Sequence, residues 1–71
     1  MIFDPPIYSL SDFTKTHNLT PVRSHRLFHD LGLKPRMITI GEKQFVTREA
    51  AVEWRKMVED YAEQHGGKIE L

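Results

Sequence analysis

Thr20 and Gly32 bracket a stretch that its length and its two ends commit to a short amphipathic helix. Thr20 offers a hydroxyl to an unpaired N–H of the first turn, and Pro21 takes the first helical position, where no donor is required. Gly32 can adopt the left-handed conformation that closes a helix, with Leu33 folding back onto Phe28. At about 100° per residue, Ser24, Leu27, Phe28 and Leu31 fall within one arc of roughly 100°. Val22, Arg26 and His29 centre the opposite side, flanked by Arg23, His25 and Asp30. A narrow apolar back and an Arg/His-rich front suit insertion into a DNA groove, and suit a solvated face as well.

The flanking segments supply the rest of a small fold. Residues 1–6 read as a proline-interrupted, loosely held N-terminal arm ending in an extended stretch. Ser9 then caps a helix with Asp12 three residues on, and Tyr8 and Phe13 stand at the two positions of a hydrophobic staple. That helix runs to about His17 and stops at Asn18, so only Asn18 and Leu19 separate it from Thr20, a helix-turn-helix spacing. Beyond the Lys34-Pro35-Arg36 turn, Met37-Ile38-Thr39-Ile40 alternates as a strand. Gly41-Glu42 is a two-residue turn, and Lys43-Gln44-Phe45-Val46 returns. A lone hairpin is marginal in water, so the Ile38/Ile40/Phe45 face is expected against the helices, with Arg36, Thr39, Lys43 and Gln44 on the other face and the tip. Thr47 caps a last helix with the stripe Ala51, Trp54, Val58 and Tyr61 and a polar cover of Glu53, Lys56, Glu59, Asp60 and Glu63. His65-Gly66-Gly67 ends it, and residues 66–71 read as a frayed tail. The expected architecture is mainly α with a small β-hairpin, a winged helix-turn-helix of order α-α-β-β-α around a three-helix core, with the domain spanning 7–65.

Size and composition narrow the function. Seventy-one residues make at most one domain, and a core of this size rarely leaves more than about 3–5 kcal/mol of net stability. Without cysteine the chain has neither a disulfide framework nor a thiolate zinc site. Its start lacks the basic and apolar regions of a signal peptide, and no apolar run approaches a membrane span. A cytoplasmic, nucleoid-associated protein with no membrane partner is therefore expected. The formal charge is zero, but it is segregated. Residues 15–48 carry Lys15, Arg23, Arg26, Lys34, Arg36, Lys43 and Arg48 against Asp30 and Glu42, for a net +5, whereas 1–14 sum to −2 and 49–71 to −3. A basic front and an acidic rear follow.

The run Tyr8-Ser9-Leu10-Ser11-Asp12-Phe13, then Leu19-Thr20 and Arg26-Leu27-Phe28, then Ile38-Thr39-Ile40-Gly41 and Phe45-Val46-Thr47-Arg48-Glu49-Ala50 with Trp54, resembles the MerR-like winged helix-turn-helix. More narrowly it is similar to the excisionase/AlpA-type regulators of phages and mobile elements, over residues 7–62. The resemblance implies a second helix in a major groove and a wing on phosphate or minor groove. It also implies a role in transcription regulation, excision directionality or phage DNA packaging. Three features depart from the family pattern: His29–Leu33 is about one residue longer than usual, Glu42 stands at the wing tip where a second base is common, and the overall charge is neutral rather than basic.

For base contact the candidates are Val22, Arg23, His25 and Arg26. An arginine can grip guanine O6/N7 with two hydrogen bonds, and an outward valine can meet a thymine methyl. For phosphate contact they are Thr20, His29, Lys34, Arg36, Lys43, Gln44 and Arg48. His25 and His29 have a metal-binding spacing without a strong third ligand, so no metal site is expected. No glycine-rich phosphate loop or nucleophile–base arrangement occurs, so neither catalysis nor a cofactor is expected. The function read from the residues is sequence-specific binding of double-stranded DNA, helped by tandem copies of itself or by a partner protein such as a recombinase or polymerase. The alternative is a protein-interaction module or inhibitor of the same fold, to which overall neutrality and the acidic last helix point.

Overall fold

The structure, a computed structural model, describes residues 4–71. The first three residues of the expected arm lie outside that range. In chain order the elements are β1 (Ile7–Ser9), α1 (Leu10–Thr16), α2 (Pro21–His25), β2 (Ile38–Ile40), β3 (Lys43–Thr47) and α3 (Arg48–Gln64), with α2 continuing as a π-helical turn over Arg26–Asp30.

Local chemistry sets the helix ends. The Ser9 hydroxyl accepts from the Asp12 N–H at 3.1 Å, Thr20 from Arg23 at 3.2 Å and Thr47 from Ala50 at 3.2 Å. Asn18 (φ 56°) closes α1, with the Leu19 N–H reaching back to the Thr14 carbonyl at 2.8 Å. Leu19 is half-buried at the corner between α1 and α2. Gly32 (φ 72°) closes α2 in the same left-handed conformation.

The second helix is not regular to its end. The Leu31 N–H bonds the Arg26 carbonyl, five residues back, and the Leu33 N–H bonds Leu27, six residues back. A Schellman stop would have joined Leu33 to Phe28. The wider π turn takes up one extra residue before the stop, while still burying both Leu27 and Phe28.

Three helices and a three-stranded antiparallel sheet of order β1-β3-β2 share one core. Phe13 of α1 stands edge-on to Trp54 of α3, ring centroids 5.0 Å apart, and edge-on to Tyr8 at 5.7 Å, the expected staple pair. Phe28 lies 6.2 Å from Trp54 and 6.5 Å from Phe13, which fastens α2 to both other helices. Ala50 and Ala51 are buried beneath them, and Val58 and Tyr61 are half-buried along the same stripe of α3.

The sheet departs from expectation in two ways. Ile7–Ser9 forms a third strand, pairing Tyr8 with Val46, where an arm and a helix lead-in were expected. The hairpin, which turns through Gly41 (φ 66°) with Ile40 opposite Lys43, is also inverted relative to the expected face. Tyr8 and Val46 are the inward pair and are fully buried. Side chains alternate, and residues directly opposite one another share a face. Ile7, Phe45, Ile38 and Ile40 therefore look outward together with Lys43, while Thr39 and Gln44 lie on the Tyr8/Val46 side, beyond the helices and exposed. The phase is imposed from the strand ends. Tyr8 is stapled to Phe13 one residue before the Ser9 cap, and Val46 precedes the Thr47 cap of α3, so neither can rotate outward without unseating a helix.

Residues 4–6 and Ile69 are held against the fold, where a loose arm and a frayed tail were expected. From Asp4 onward the arm is bound: the Arg48 N–H donates to the Pro6 carbonyl at 3.0 Å and Arg48 Nε to the Asp4 carbonyl at 3.0 Å. In the tail, Ile69 is half-buried against the core.

Candidate nucleic-acid interface

The outward side of α2 is built by the burial of its back. Leu27 and Phe28 lock into Phe13 and Trp54, and this rotation leaves Val22 64% exposed, with Arg23, His25, Arg26 and His29 also exposed. Among the described residues no acidic side chain pairs with Arg23 or Arg26, and Asp30 forms no ion pair with either. An apolar residue beside two unpaired guanidinium groups on one helix side can present both bidentate donors and a methyl-sized contact.

The two histidines of α2 differ from the arginines in setting. Their rings lie 4.7 Å apart, and both border a groove of about 410 Å³ against α1, lined also by Leu10, Ser11, Thr14, Pro21, Ser24 and Phe28. His25 therefore faces the α1 side and does not join Arg23 and Arg26 in one cluster. Thr20 spends its hydroxyl on the Arg23 N–H, and Ser24 donates its own to the Pro21 carbonyl.

The cations beyond α2 fall into two groups. Lys34 and Lys43 are exposed and, among the described residues, unpaired; Gln44 is exposed beside the hairpin tip. Arg36 instead meets Glu53 of α3 at 2.8 Å, and Arg48 is tied to the Asp4 carbonyl. The Arg36–Glu53 pair is solvent-exposed and so worth only tenths of a kcal/mol, up to about 1. Lys43 shares the outer sheet face with Ile38 and Ile40, whereas it was expected with Thr39 and Gln44.

A polar network absent from the sequence reading lies between the N-terminal segment and α3. Arg55 reaches Asp4 with both terminal nitrogens (3.1 and 3.4 Å), the Tyr8 hydroxyl at 3.2 Å and, through Nε, His17 Nε2 at 3.0 Å. Tyr8 in turn donates to the Asp4 carboxylate. His17 Nδ1 lies 2.7 Å from the Phe13 carbonyl. The proton therefore sits on Nδ1, leaving Nε2 free to accept from Arg55. Hydrogen bonds from Arg55 and then Tyr8 hold the Asp4 carboxyl below its ordinary range. Burial, followed by the adjacent Asp4, pushes the Tyr8 phenol up. No short-range signal links Asp4 to Arg55, 51 positions later, and the network serves to hold Asp4 and Tyr8 on α3.

Among the described residues no helix is long and apolar enough to cross a membrane, and no three metal-ligating side chains gather. Compared with family models, with curated proteins and with solved structures, the chain matches none.

Proposed function

We propose that this chain binds double-stranded DNA through the outward side of α2, as a winged helix-turn-helix regulator or excisionase-like factor. The reading rests on one observation: Val22, Arg23 and Arg26 stand exposed on a helix whose back is locked into an aromatic core, and among the described residues no carboxylate pairs with either arginine. Arg23 and Arg26 read base edges, Val22 meets a thymine methyl, and Lys34, Lys43 and Gln44 are assigned to phosphate. Arg36 and Arg48 contribute less, because each already has a partner within the chain. A single module of this size covers about 600–1,000 Å² of duplex, so tandem sites or a partner protein raise its occupancy. Chemical-shift mapping with short duplexes tests the reading. Perturbations centred on 22–26, with weaker ones at Lys34 and Lys43, support it; perturbations confined to α3 or the sheet overturn it.

A second reading, a protein-interaction module without DNA binding of its own, draws on the outer sheet face, where Ile7, Ile38 and Ile40 are exposed beside a half-buried Phe45, and on the neutral overall charge.

A further inference from the structure

The chain has four histidines, and the fold treats them in two ways. His17 has both ring nitrogens engaged, one with the Phe13 carbonyl and one with Arg55. His65 holds Nδ1 2.8 Å from the Tyr61 carbonyl and stacks on the Tyr61 ring, centroids 4.1 Å apart. His25 and His29 are exposed and, among the described residues, make no ion pair and no hydrogen bond through their rings.

Their spacing in the sequence lacks a strong third ligand; the fold adds a distance. In an α-helix, residues four apart are offset around the axis by about 40°. The wider π turn over Arg26–Asp30 needs more residues to come round, so it returns His29 closer to the direction of His25. The two ring centroids are 4.7 Å apart, with the planes tilted by 45° and not stacked. An imidazole nitrogen binds a Zn²⁺-like ion at about 2.0–2.1 Å, which puts the ring centre about 3.2 Å from the metal, so two rings held cis at roughly 90–110° stand about 4.5–5.2 Å apart. The observed separation falls inside that window.

From this arrangement we infer that His25 and His29 together chelate one divalent transition-metal ion, of the class of Zn²⁺, Ni²⁺ or Cu²⁺ that imidazole favours over Mg²⁺ and Ca²⁺. Two imidazoles leave the other coordination positions to water, and the groove against α1 is furnished to meet it. Ser11, Thr14 and Ser24 line it together with the two histidines. Thr14 and Ser24 have already given their protons to the Ser11 and Pro21 carbonyls, so their oxygens are left as acceptors, for metal-bound water or for the second N–H of a ligating ring. No lysine or arginine lines this groove, so no fixed cation there repels the ion. Holding two ligands on one stretch of helix makes the second bond intramolecular, which strengthens binding about 100-fold over a lone imidazole and gives a Kd on the order of 10 µM. Neither histidine has a part in the DNA reading above, so the two stand or fall separately.

Titration of the full chain with Zn²⁺ at neutral pH, without DNA, tests this by calorimetry and by NMR of the imidazole signals. The wild type takes up one ion per chain; the His25 and His29 signals shift together while those of His17 and His65 stay in place, and Mg²⁺ moves none of them. His25→Gln and His29→Gln each weaken binding about 100-fold, and His65→Gln leaves it unchanged. Both ligand positions are exposed, and an unchanged backbone spectrum away from α2 checks that each variant keeps the fold. No saturable uptake below about 1 mM overturns the inference. So does parallel movement of all four histidines, which marks adventitious binding only, or an affinity that survives either single substitution.

Discussion

The indole N–H of Trp54 donates to the backbone carbonyl of Leu33 over 2.8 Å, tying the middle of α3 to the residue just past the stop of α2. Both residues are buried. The bond fixes where α2 ends relative to the helix it packs against, and hence which way Val22, Arg23 and Arg26 face.

Replacing Trp54 by Phe leaves the Leu33 carbonyl buried without a donor, a loss of about 1–3 kcal/mol, and removes packing against Phe13 and Phe28 as well. Urea denaturation should show a lower midpoint at an unchanged slope. An unchanged midpoint would mean that the indole bond does not hold α2 in place.

Gly32→Ala isolates the stop itself. A Cβ there meets nothing within 4 Å, but φ is +72°, so the cost is backbone strain alone, about 1–2 kcal/mol. The same measurement checks it, and Gly32→Asn, which tolerates the left-handed region better, should lose less.

Acid should weaken the hold of α3 on Asp4. Asp4 has a folded pKa below its unfolded value. On acidification the unfolded chain therefore takes up this proton first. The stabilisation from Asp4 is complete above the ordinary carboxylate range near 3.9 and is lost as pH falls through that range toward the lower folded value. Thermal melts of the wild type and of Asp4→Asn against pH should differ at neutrality and converge in acid. Parallel curves would remove the Arg55–Asp4 contact from the account.

The two classes of DNA contact separate by mutation. Arg26→Ala should cost about 1–3 kcal/mol on the preferred sequence and flatten the preference among sequences. Lys43→Ala should weaken all duplexes alike and lower the salt slope by about one. Arg36→Ala should change DNA affinity least of the three, since its guanidinium already meets Glu53. Competition binding with panels of duplexes distinguishes these outcomes.

What could be read in the chain was what short-range chemistry writes there. Ser9, Thr20 and Thr47 announce their helices because a cap needs only its own first turn, and Asn18, Gly32 and Gly41 mark places where the backbone must turn left-handed. The outward side of α2 followed from periodicity, because Leu27 and Phe28 leave it no other way to face. The π turn over Arg26–Asp30 was not legible, since its residues wind as well into an α-helix. The hairpin misled because two isoleucines suggest an inner face. Which face turns inward was decided by Tyr8 on a strand too short to recognise, paired across to Val46. The Asp4–Arg55 network joins parts of the chain that only the finished fold brings together.

The salt dependence of binding to a random-sequence duplex, followed by fluorescence anisotropy of the intact chain, tests the central claim most directly. The sequence alone suggests four to six phosphate contacts and a log–log slope of roughly −4 to −5. On a random duplex the groove arginines meet phosphate as well, so with Arg36 and Arg48 engaged within the chain, Arg23, Arg26, Lys34 and Lys43 set it at roughly −3 to −4. A slope in that range that shrinks when Arg23 and Arg26 are replaced by alanine is the predicted result. A flat response, or no binding at low salt, would contradict the assignment of α2 to DNA.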